Sequence, residues 1–110
     1  MTNIKNELDV AIATHQQGKL EEAISLYTSL LKKSPQNPEL LNLLGSALSQ
    51  AQHWADAEEY LNKSVALEPE EEGYWVNYAQ HLGRQKKWQE AIELLTENVS
   101  ASSVYLPVWQ

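Results

Sequence analysis

The chain has 110 residues, a formal net charge of −7 and no cysteine, which excludes disulfides, thiolate metal sites and cysteine nucleophiles and argues against nucleic-acid or anionic-membrane partners, since both ask for a basic face. With 43% hydrophobic residues, no Phe, four Gly and four Pro, it can fill one modest core, and its wealth of Leu, Ala, Glu and Gln favours helix over strand. Glu7 and Asp9 interrupt any apolar run at the N-terminus and no stretch approaches a membrane span, so a cytoplasmic protein is expected.

Six helices are predicted, in order. The first covers 4–17 and carries Val10, Ala11 and Thr14. The second covers 20–33, opens on Glu21 and Glu22, and turns Ile24, Tyr27 and Leu31 inward. Acidic residues in a first turn suit the positive end of the helix dipole. Pro35 stops this helix, and Asn37-Pro38-Glu39 starts the third, over 37–50: Asn caps free N–H groups and Pro loses nothing at the first helical position. Leu41, Leu44 and Leu48 share one face of it, at helical spacing. The fourth covers 54–67, with Asp56 and Glu58 early and Leu61 and Val65 inward, and Pro69 ends it. The fifth covers 71–85, with Trp75, Tyr78 and Leu82 on its core face. The sixth covers 88–100, with Glu90 early and Ile92, Leu95 and Val99 inward.

These helices repeat. Ala23, Ala57 and Ala91 are 34 residues apart, as are Leu20, Trp54 and Trp88, and Pro35 and Pro69. In a second register, Leu41, Leu44, Gly45 and Leu48 recur as Trp75, Tyr78, Ala79 and Leu82. A looser copy is Glu7, Val10, Ala11 and Thr14. This pattern of large and small residues resembles the tetratricopeptide repeat family. The middle copy matches best; the first departs at Glu7 and Thr14, and the third has Ser103 where proline stood before. The resemblance implies an all-α fold, a right-handed α-solenoid of antiparallel helix hairpins. It makes residues 1–110 a single domain of repeats 4–37, 38–71 and 72–105, with 106–110 a tail or the start of a truncated fourth repeat. Small pairs, Ala11, Gly45 and Ala79 on first helices and Ala23, Ala57 and Ala91 on second helices, should face one another and let the helix axes approach. No hairpin buries its apolar face alone, so stacking is required.

The resemblance also implies a protein-binding scaffold with no catalysis and no cofactor. The ligand, a peptide or protein segment, would lie in a concave groove lined by the first helices. Leu8, Ile12 and His15 are the groove candidates of the first repeat. Asn42, Leu43 and Ser46 follow in the second, and Val76, Asn77, Gln80 and Arg84 in the third. The amides would bond a peptide backbone and the apolar groups would take side chains. Chaperone-binding members hold a C-terminal carboxylate with basic residues. The matching positions here are Leu8, Ile12, Leu43, Gly73 and Asn77, none of them Lys or Arg, so that ligand is not expected.

His15 is read as facing the groove, His53 as lying in a turn and His81 as lying away from the groove; their spacing holds no metal-ligand pattern. The acidic runs at Asp56, Glu58, Glu59 and at Glu68, Glu70, Glu71, Glu72 read as solvated faces and an inter-repeat turn. Trp54, Trp75 and Trp88 read as packing residues. Trp109 follows Trp75 at the repeat step, and the apolar end suggests a fragment of a longer stack. That end, through Tyr105, Leu106 and Trp109, is a candidate for homo-oligomer contacts. Two alternatives stand beside the scaffold: an N-terminal accessory module of a larger bacterial-type enzyme such as a transferase, and a self-association module.

Overall fold

Local chemistry sets the helix boundaries. The computed structural model describes residues 4–100. Within them lie α1 (Ile4–Gln16), α2 (Leu20–Lys33), α3 (Pro38–Gln50), α4 (Trp54–Leu67), α5 (Glu72–Arg84) and α6 (Trp88–Asn98). Asn37 caps α3: its side-chain oxygen accepts from the Leu40 N–H at 3.2 Å, and Pro38 is the first helical residue. The last helix stops at Asn98, short of the predicted 100, because Val99 turns extended.

The three turns inside hairpins share one geometry. Gly18, Gln52 and Lys86 all have left-handed backbones, with φ of 81°, 68° and 63°. After each, an N–H reaches back into the helix: Lys19 to the Thr14 carbonyl, His53 to Leu48 and Lys87 to Leu82, at 3.2, 2.8 and 3.0 Å. This is a Schellman stop, which satisfies carbonyls that the helix end leaves open. Only Gly18 adopts it without a Cβ penalty. Gln52→Gly and Lys86→Gly are each expected to stabilise the chain by roughly 0.5–1 kcal/mol, read as a higher urea midpoint.

The short turns fold each helix pair back on itself, giving an all-α solenoid of hairpins 45 × 26 × 23 Å in extent. Ala11, Ala23, Ala57, Ala79 and Ala91 are fully buried in the joints between paired helices. Gly45 is tighter still: a Cβ there would lie 2.7 Å from the Leu61 Cγ and 3.2 Å from the Leu61 backbone N.

The core is divided. One apolar cluster runs through α1–α4 and includes Tyr27, Leu30, Leu40, Leu44 and Leu48. A second is confined to α5, α6 and the residue that ends α6, around Leu82, Leu95 and Val99. Where the second and third hairpins meet lie four buried polar residues, Asn42, Ser49, Ser64 and His81.

Some inward expectations fail at specific places. Ile92, expected inward, is 51% exposed; Val10 too is open, at 58%, although Leu44, its equivalent in the second hairpin, is 1% exposed. Val10 and Ile92 lie on the first and last hairpins, and within residues 4–100 no further hairpin packs on them. Trp75 is only half-buried, and its indole N–H donates to the Pro69 carbonyl at 2.8 Å.

Candidate functional site

At the joint between the second and third hairpins the first helices pack on one another: α3 lies against α5, with no comparable packing of α4 on α6; at the joint before it, His15 of α1 bonds Gln50 of α3. The stack therefore closes on the side of α1, α3 and α5 and opens on the other, making the first-helix side the inner surface.

A stripe of joint contacts runs along that side. The joint stripe is fixed by hydrogen bonds between residues 35 apart. His15 bonds Gln50, Asn77 donates to the Asn42 Oδ1 at 2.6 Å, and Arg84 donates to the Ser49 Oγ at 3.0 Å. His15 and Ser49 are equivalent by the repeat, and so are Gln50 and Arg84. The same contact is thus made twice with different chemistry. Leu8 and Leu43, the equivalents of Asn42 and Asn77, are half-buried and pack on the first apolar cluster. The first joint is accordingly apolar at this level and the second is an amide pair.

This places the expected groove residues. Asn42 is 3% exposed, donates to the Ser64 Oγ at 3.2 Å and accepts from Asn77. Its amide is consumed inside the fold and is not offered to a ligand, which corrects the expectation for that residue. Asn77 spends one donor on the same bond. His15 also serves the joint. Gln50 Oε1 can only accept, so His15 Nε2 carries the proton and Nδ1 accepts from the Tyr27 hydroxyl at 2.9 Å. Burial pushes that phenol up to about 12, so it remains a donor. Ser46 is half-buried, and its hydroxyl oxygen lacks any hydrogen-bond partner among the described residues. Ile12 rests partly buried on the first cluster and Val76 on the second. Gln80 is half-buried and Arg84 is exposed beyond its bond to Ser49. Ile12, Leu43, Asn77, Gln80 and Arg84 retain accessible surface along the inner side.

His81 is the residue whose importance the sequence hid. Its side chain is fully buried. Gln85 donates to its Nε2 at 3.0 Å, so Nδ1 carries the proton and donates to the Ser49 Oγ at 2.9 Å. Its ring also lies 5.9 Å from Trp54 and 6.1 Å from Tyr78. Burial holds its pKa below the ordinary histidine value; Arg84 and Lys87 push the same way, and Glu58, 3.9 Å from Nε2, opposes them. The signal in the sequence was positional: His81 stands in register with Ala47, which is also fully buried. Among the described residues no group of three His, Asp or Glu is placed to hold a metal ion, and no helix is long and apolar enough to cross a membrane.

The sequence model of the tetratricopeptide repeat family matches residues 15–80, more than half of the chain. The chain belongs to the tetratricopeptide repeat family. No curated protein matches it. Among solved structures, one mutant of MamA superposes with a TM-score of 0.75 at 19% identity, over 89% of this chain and 72% of that one. A second MamA mutant gives 0.69 at 21% identity, over 96% of this chain and 61% of the other. At such identities these matches speak for the fold. Tetratricopeptide repeats generally mediate protein–protein interaction and are typically scaffolds.

Proposed function

We propose that the chain is a protein–protein interaction scaffold that holds a peptide or an extended protein segment along α1, α3 and α5. The observation that carries this reading is the inner side itself: half-buried apolar groups, Ile12 and Leu43, beside the amides of Asn77 and Gln80. An extended peptide needs just this mixture of apolar footholds and backbone hydrogen-bond partners. The absence of Lys and Arg at Leu8, Ile12, Leu43, Gly73 and Asn77 turns the preference away from acidic C-termini, and a soluble partner suits the chain better than nucleic acid or membrane.

Peptides selected from a random display library against the 110-residue chain test it. Gln80→Tyr, which fills the inner side without adding charge, is expected to weaken them at least about tenfold, the scale of a single interface anchor. Ser25→Tyr on the outer side of α2 should leave them unchanged. Peptides indifferent to Gln80→Tyr would refute the inner-side reading.

A second reading, self-association, is favoured by the exposed Val10 on the first hairpin and Ile92 on the last. Contact between unlike ends of two copies is open-ended and adds further copies. Sedimentation that grows with concentration, and stops growing in Ile92→Lys, would support it. Tyr105, Leu106 and Trp109 lie outside the described residues.

A further inference from the structure

On the outer side, between α4 and α6, lies a cleft of about 480 Å³. Its floor is Trp75, Tyr78 and Leu82 of α5, and four carboxylates line it: Glu58 from α4, and Glu90, Glu93 and Glu97 from α6. No Lys or Arg is among its lining residues. The cleft exists because of four substitutions within the repeat. Glu58 stands where the first hairpin has Ile24, which packs on the core. Trp75 and Tyr78 stand where the second hairpin has the buried Leu41 and Leu44. Glu97 stands where α4 has Lys63.

Helix electrostatics do not account for this ring of acids. Glu90 lies in the first turn of α6, where the dipole favours it. Glu93 and Glu97 lie further along, and the last turn of α6 has no basic residue to offset Glu97. Residues 90, 93 and 97 share one helical face at spacings of three and four, where like charges repel by about 0.2–0.5 kcal/mol per pair. The Tyr78 phenol is raised by burial first, and then by Glu58 and Glu90. The carboxylates thus act on the aromatic floor as well as on one another.

Half-buried aromatic faces ringed by carboxylates match one chemistry: a long cationic side chain, its alkyl stem on the rings and its head group among the acids. We propose that this cleft is a second docking surface, taking a lysine- or arginine-rich segment of a partner protein. Charge complementarity selects that occupant. Residues 101–110 contain no Lys or Arg, so they do not supply it. The proposal rests on the chain being a protein-binding module, yet uses a different face from the inner side.

Calorimetric titration of the 110-residue chain with a synthetic Arg-Gly-Lys-Gly-Arg peptide tests it. Two variants of equal charge are compared. One carries Glu58→Gln, Glu90→Gln, Glu93→Gln and Glu97→Gln; the other carries Glu21→Gln, Glu22→Gln, Glu68→Gln and Glu70→Gln. The cleft variant is expected to bind at least about tenfold more weakly and the control to change by less than about twofold, since distant charges are screened at physiological salt. Tyr78→Leu should weaken binding by about threefold, the scale of one cation–π contact. Equal losses in the two variants would reduce the effect to diffuse charge attraction and overturn the proposal, as would no binding to the unaltered chain. Gln80→Tyr should leave this peptide's affinity intact, so failure here and failure of the inner-side reading are separate results.

Discussion

Gly45→Leu is expected to cost the chain about 3 kcal/mol or more of stability, the upper range for overpacking a close joint. Even the first added carbon would lie 2.7 Å from Leu61 Cγ and 2.9 Å from Cδ2. Leu61 has no freedom to retreat, because it is fully buried, and its backbone N limits the approach as well. Leucine's better helix propensity returns about 1 kcal/mol at most, so the clash wins. Against a total of about 5–15 kcal/mol for a natural domain, the middle hairpin that carries both joints would be close to unfolding. Urea denaturation followed by circular dichroism measures the loss. Ala13→Leu, at an exposed position of α1, is the control and should change little. A loss below about 0.5 kcal/mol for Gly45→Leu, the scatter of an ordinary surface substitution, would mean that α3 and α4 are not packed as described.

The second large effect concerns His81. Its pKa in the folded chain is lowered, so the unfolded chain takes up the proton first as the pH falls. The sign follows: when the unfolded state binds more protons, stability rises with pH. The contribution of neutral His81 is therefore complete above the ordinary histidine value of 6.5 and is lost as the pH drops below it. Arg84 and Lys87 reinforce the loss by repelling the imidazolium, and Glu58 partly relieves it. The urea midpoint should fall between pH 7.5 and 5, and the part due to His81 should vanish in His81→Asn. At neutral pH, His81→Ala should cost about 2–4 kcal/mol, from a cavity and from lost bonds to Ser49 and Gln85. The third hairpin, whose apolar cluster is its own, should loosen before the other two. A pH dependence unchanged by His81→Asn would show that the buried joint does not sense protons.

Much of the fold was legible in the sequence because its determinants are local. The Asn37 cap, the small residues that close each hairpin and the apolar faces of α2 and α3 each depend on neighbours within a turn or within one hairpin. The inner side was read less well, for a physical reason. Asn42 and Leu43 are adjacent and so lie about 100° apart around the helix. Which of them meets the ligand and which meets the next hairpin is set by the rotation between hairpins, and no single helix records that rotation. Asn42 was therefore expected in the groove and lies in the joint. Trp75 and Tyr78 stand at leucine positions and were expected in the core; with Glu58 in place of an isoleucine, their rings line an open cleft instead. His81, placed away from the groove and without metal-ligand spacing to the other histidines, carried no role in the sequence, while its register with a buried alanine pointed into the joint.

The central claim is that a partner segment lies along α1, α3 and α5. Hydrogen exchange of the 110-residue chain, with and without a peptide selected from the display library, reads it directly. Added protection should concentrate in α1, α3 and α5, and be absent when Gln80→Tyr is used. Protection confined to α2, α4 and α6 would contradict it.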